Sequence, residues 1–138
     1  MEGPAEDFHH ADHVSISRTL ESRRGLPLTL CAIYALVARR AGFIAGLLPF
    51  PGQVLLGLGP AEDRRILDPF IGGDEISEAA CLARLSMMGA PASRSWLDPA
   101  SDRSMLIRQL RNLGASMDRH GRAREARRAR RLVESLAE

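Results

Sequence analysis

The sequence predicts an α+β fold in a single domain. Three observations carry that expectation. A fourteen-residue apolar run at helical spacing occupies residues 28–41, three short apolar runs between residues 44 and 67 are broken by Pro and Gly, and the last third alternates apolar residues every three or four positions. The 138 residues, 45% hydrophobic and 26% charged, suit one globular domain.

In chain order, residues 1–13 are polar and acidic with little periodicity, and read as a loose arm. Residues 14–24 predict a short helix anchored by Val14, Ile16 and Leu20, ended by Gly25. Pro27 then opens the next helix, where its missing N–H costs nothing. Across 28–41, Leu30, Ile33, Tyr34 and Val37 make one face, and Leu28, Cys31, Ala35 and Ala38 a second, so this helix is expected to be buried on most sides. Arg39 and Arg40 suit its negative end and Gly42 its stop.

Strands are expected at 44–48, 53–58 and 65–67 as a small antiparallel sheet. Turns fall at 49–52 and 59–63, and Asp68-Pro69-Phe70 closes the last strand. Ser77 is a candidate N-cap for a helix over 78–88, with Ile76, Cys81, Leu82 and Leu85 inward. Residues 89–102 read as a linker pinned by Trp96. From 103 a helical hairpin follows, lined first by Leu106, Leu110, Leu113 and Met117. After the turn at His120-Gly121 it is lined by Ala126, Ala129, Leu132, Val133 and Leu136.

Composition excludes several function classes. All 19 basic residues are Arg, which removes lysine Schiff bases and Walker-type phosphate loops. No run approaches the ~20 apolar residues of a membrane-spanning helix. No basic-then-apolar leader stands at the N-terminus and only two cysteines occur, so a cytoplasmic location is expected, without membrane contact. Charge is uneven: residues 1–102 hold nine Arg against thirteen acids, and residues 103–138 ten Arg against four.

Several short motifs now converge. Leu20-Glu21-Ser22-Arg23-Arg24-Gly25-Leu26-Pro27, Ala38-Arg39-Arg40-Ala41-Gly42-Phe43, Phe50-Pro51-Gly52-Gln53-Val54, Leu67-Asp68-Pro69-Phe70-Ile71-Gly72-Gly73 and Leu110-Arg111-Asn112-Leu113 occur in order. Together they resemble a bacterial transglutaminase-like family with tetratricopeptide-type tails, often described as invasion-regulator-like. The family generally has a longer N-terminal helical segment, so this chain resembles a shortened version. The resemblance implies a papain-like core, a buried helix against a small antiparallel sheet, with a helical hairpin packed on it. Leu113-Gly114, Met117, Gly121 and Ala126 also fit the spacing of one tetratricopeptide unit, which cannot bury its own face.

That resemblance also implies a site: a Cys at the start of the buried helix, a His on a neighbouring strand as base, and an Asp to orient it. Asp68 stands in the Asp position. The His position holds Gln53, whose amide cannot take a proton. Cys31 lies on the right helix but about one turn inside it, among apolar neighbours, and reads as packing, as does Cys81. Cys31, Gln53 and Asp68 are thus a degenerate triad, and the expected function is a non-catalytic, regulatory protein-binding module. The competing expectation is a cysteine-dependent acyl transferase or peptidase using Cys31, with a base such as His13 folding back.

Two other clusters stand outside these motifs. His9, His10 and His13 form H-H-x-x-H, in which His9 and His13 could share a helical face toward a divalent metal. No fourth ligand is evident, so no metal and no cofactor is expected. The stretch 119–131 holds seven Arg. Arg119, Arg122, Arg124, Arg127, Arg128 and Arg131 are candidate partner-binding residues, with Arg130 between them. A protein partner is expected over nucleic acid, because the hairpin has no aromatic residue to stack bases. A nucleic-acid accessory role through this tail is the second competing expectation.

Overall fold

A computed structural model describes residues 14–138. The expected arm 1–13, with His9, His10 and His13, lies outside the described residues. Helix α1 spans Ile16–Ser22, capped by the Ser15 hydroxyl accepting from the Arg18 N–H. Helix α2 spans Pro27–Arg40, with Pro27 at its first position. Strands β1 (Ala45–Leu48), β2 (Leu55–Leu58), β3 (Arg65–Asp68) and β4 (Asp74–Ile76) follow. Helices α3 (Glu78–Met87), α4 (Asp102–Arg119) and α5 (Ala123–Ala137) complete the chain. This is the expected α+β class, with five α-helices and one antiparallel sheet in the order β1-β2-β3-β4 among the described residues.

The pleat sorts the sheet's side chains to two faces. Leu47 pairs with Leu56, and both join Leu28, Cys31, Ala35 and Met105 under α2. Leu48 pairs with Leu55, and both join Phe50, Ile66, Cys81, Leu85 and Leu97 under α3. The sheet is therefore covered on both faces. Each fully buried Leu contributes about 1.5–3 kcal/mol.

Several local expectations are corrected. Helix α2 is buried on most sides only over its first half, where Leu28, Thr29, Leu30, Cys31, Ile33 and Ala35 are all covered; in its second half Leu36 and Val37 are 49% and 63% exposed. In α1, Ile16 and Leu20 are exposed, and the buried residue is Thr19. Ile44 lies outside β1 and is exposed. Strand β4 went unforeseen, because Asp74-Glu75-Ile76 lacks an apolar run. It is an edge strand, held to β3 by its backbone and by the Arg65–Glu75 ion pair at 2.6 Å.

Leu97, in a 3-10 turn over Arg94–Leu97, is the buried anchor of the 89–102 segment, while Trp96 is only half-buried. In the hairpin, Met117, Ala126 and Ala129 are buried as expected, but Leu106 and Leu132 are exposed, and Met105 and Gly114 are buried in addition. The Ser77 cap is present, accepting from the Ala80 N–H at 3.1 Å.

Hairpin and core are joined at defined points. Met105 enters the α2 cluster. Gln109 Nε2 donates to the Val14 carbonyl (2.7 Å) and to Thr29 Oγ1 (2.9 Å). Arg39 holds Asp102 through two hydrogen bonds (2.8 and 3.0 Å), and its Nε donates to the Ala45 carbonyl.

Candidate functional site

The fold brings Cys31, Gln53 and Asp68 into one region. Gln53 lies just before β2, on the loop that follows the Pro49–Gly52 turn. Asp68 ends β3, beside β2. Gln53 Nε2 donates to Asp68 Oδ2 at 3.1 Å. A carboxylate only accepts, so the amide nitrogen must face it. Asp68 is buried, and its other oxygen accepts from the Phe70 N–H at 3.0 Å. The Asp68 carbonyl accepts from Ile71 and Gly73. Asp68 is thus the organising residue of the Asp-Pro-Phe turn as well as Gln53's partner. Arg84 of α3 lies 3.8 Å from the same carboxylate oxygen, a contact that the sequence reading did not anticipate.

Cys31 is fully buried on α2, and its thiol donates to the Val54 carbonyl at 3.1 Å. Burial pushes its thiol far above the ordinary range, and the charge of Asp68 pushes it in the same direction. A thiolate there is strongly disfavoured, the reverse of what a nucleophile requires. No hydrogen bond joins Cys31 to an imidazole or carboxylate among the described residues. The one histidine among them, His120, caps α4 at the hairpin turn. Cys81 is also buried, with its thiol raised mainly by desolvation.

Two concavities meet at Gln53. One, about 110 Å³, is lined by Leu26, Pro27, Leu28, Gly52, Gln53, Val54, Arg108 and Asn112. The other, about 340 Å³, is lined by Phe50, Pro51, Gly52, Gln53, Arg84, Met87 and Met88. Cys31 lines neither. Sequence reasoning missed Arg84 and Arg108 as site residues, and it met Asn112 only within the Leu110-Arg111-Asn112-Leu113 motif. The i, i+4 spacing of Arg108 and Asn112 sets those two on one face of α4.

No group of three or more His, Cys, Asp or Glu could hold a metal among the described residues. No helix among them is long and apolar enough to cross a membrane. In α5, the buried Ala126 and Ala129 leave Arg124, Arg127, Arg128 and Arg131 exposed. Arg119 and Arg122 are also exposed. Arg122 pairs with Glu125, and Arg130 with Asp118. Residues 14–102 hold nine Arg and nine acids, so the acid excess expected of the body lies wholly within 1–13.

A helix packed on an antiparallel sheet, with a polar pair between the loop before β2 and the end of β3, fits a class already suggested by the sequence motifs. The chain belongs to the transglutaminase-like superfamily, whose family model matches residues 1–111. Among particular relatives, it is 34% identical over 130 residues to a UPF0162 protein of Xylella fastidiosa strain Temecula1. That match covers 88% of this chain and 46% of the relative. A UPF0162 protein of Xylella fastidiosa strain 9a5c is 32% identical over 117 residues, covering 80% of this chain and 42% of the relative. The chain therefore spans less than half the length of these curated relatives. No solved structure matches it. The family match ends within α4, so α5 lies beyond it.

Proposed function

We propose that this chain is a degenerate, non-catalytic transglutaminase-like protein that acts by binding a protein partner in a regulatory role. The observation that carries the reading is the Gln53–Asp68 hydrogen bond. Where the family pattern has an imidazole base, an amide hydrogen-bonds the carboxylate, and an amide nitrogen does not take up a proton at any working pH. The buried, protonated Cys31 thiol supports the same conclusion.

Binding needs surfaces, and two support this reading. The first is the groove through Gln53. The second is the hairpin, which we read as one tetratricopeptide-type unit, with Arg124, Arg127, Arg128 and Arg131 offered outward. The test is thiol labelling with iodoacetamide at neutral pH, read by mass spectrometry. Cys31 should stay unmodified in the folded protein and label readily once the chain is unfolded in guanidinium. Rapid, stoichiometric labelling of Cys31 in the folded protein would overturn the reading.

A further inference from the structure

Gly52 and Gln53 line both concavities, so the two adjoin at this pair and together make up a candidate groove. Gly52 adopts φ +77°, and a Cβ there would meet the Met88 methyl at 3.2 Å. Gly52 and Met88 thus approach closely where the two concavities adjoin.

Gln53's amide orientation is fixed from below. Nε2 is committed to the buried Asp68, and Oε1 accepts no hydrogen bond among the described residues. The groove therefore presents a fixed, open acceptor, which suits a backbone N–H of an extended chain. Each end carries a guanidinium. Arg108 makes no ion pair among the described residues, and it stands with Asn112 facing Pro27. Arg84 at the other end is already partnered at 3.8 Å by Asp68. Between them, Pro51, Met87 and Met88 supply apolar wall. Met87 is 87% exposed and Met88 is also exposed, and flexible thioethers of this kind adapt to varied side chains. The positive end of α2, which has no side-chain cap, adds to the field at the Arg108 end.

We infer that this groove binds an extended acidic peptide segment of a partner protein. A backbone N–H donates to Gln53 Oε1, a Glu or Asp carboxylate pairs with Arg108, and an apolar side chain lies against Met88. This deepens the proposed binding function and rests on it. An acidic peptide fits better than nucleic acid, because the groove exposes thioethers and an acceptor rather than rings for stacking, and Phe50 is buried.

The test uses fluorescein-labelled, acetylated and amidated Ala/Leu octapeptides carrying two Glu at varied separations, with Gln-substituted counterparts. Binding is read by polarisation and by side-chain amide and methyl NMR shifts. At least one Glu peptide should bind, shift the Gln53 NH2 and Met88 methyl signals, and weaken at least about tenfold in R108E. Its Gln counterpart should bind far more weakly, and R40E, at the opposite end of α2 from Pro27 and outside both concavities, should leave affinity unchanged. No binding at millimolar peptide would overturn the inference. So would equal affinity for Gln peptides, or loss in R40E with R108E unaffected. Cys31 labelling reads the non-catalytic assignment separately, so either can fail alone.

Discussion

Gln53 and Asp68 stand 3.1 Å apart, side-chain nitrogen to carboxylate oxygen, where the loop before β2 meets the end of β3. The exchange Gln53→His tests what that pair has given up. An imidazole there should hydrogen-bond Asp68 and titrate above its ordinary ~6.5, because the adjacent carboxylate favours the charged ring. NMR titration of the ring carbons checks this. Acyl transfer should remain absent, since restoring a base does not lift the burial of Cys31. A variant that hydrolyses or transfers acyl groups through Cys31 would show that the thiol is reachable after all.

Two glycines should respond in opposite directions to the same change. A Cβ on Gly25 would stand 2.7 Å from the Thr19 methyl and 2.9 Å from its hydroxyl, and Thr19 is fully buried with its hydroxyl unpartnered. Nothing there can yield cheaply, so Gly25→Ala should destabilise by about 1–3 kcal/mol. At Gly114, inside α4, a Cβ would sit 3.5 Å from the Ala129 methyl, an ordinary contact with α5. Gly114→Ala should stabilise by about 0.5–1 kcal/mol through helix propensity. Urea unfolding of both variants measures the two signs, and equal signs would contradict the packing described.

The Arg39–Asp102 pair ties the end of α2 to the start of α4. Its hydrogen bonds hold the Asp102 carboxyl below the ordinary carboxylate range. A lowered pKa means that the pair's contribution is present above the unfolded value, near ~3.9, and is lost as acid protonates the folded carboxyl. Asp102 is exposed, so the effect is small after solvent screening, about 0.2–1 kcal/mol. Asp102→Asn should cost that much at neutral pH, and its stability curve should converge on the parent's as pH falls below the unfolded carboxyl's value. Parallel curves would remove the pair from the stability of the α2–α4 junction.

How far the sequence could be read follows from what kind of interaction placed each element. Pro27 with the run from Leu28, the Leu-rich strands and Ser77 before Glu78 carry local signals, and those elements stand where such signals put them. Strand β4 carries none; it exists because β3 offers an edge and Arg65 a partner for Glu75. The exposure of Leu36 and Val37 was equally hidden, since periodicity shows which residues share a helix face but not how far the sheet extends beneath it. At the site, Gln53 and Asp68 could be singled out by motif. Arg84 and Arg108 could not, because they come from helices separated from Gln53 by 31 and 55 positions and meet it only through tertiary packing.

Cys31 offers a last measurement, independent of any ligand. In the folded chain its thiol is held protonated by burial first and by the charge of Asp68 second, while in the unfolded chain it ionises near its ordinary value. A folded pKa raised in this way gives stability that is complete below the unfolded value and is lost as pH climbs above it. The parent protein should therefore weaken from about pH 9 upward, with Cys31 adding up to ~1.4 kcal/mol per pH unit to that slope. Cys31→Ala leaves a small cavity and lowers stability at all pH values, but its alkaline limb should be shallower by that increment. Cys81→Ala is the control for the second buried thiol, whose raised pKa contributes in the same direction. Denaturant unfolding at steps from pH 7.5 to 10.5 measures all three slopes. If the Cys31→Ala limb ran parallel to the parent's, the thiol would be ionising in the folded state, and the case for an inert Cys31 would go with it.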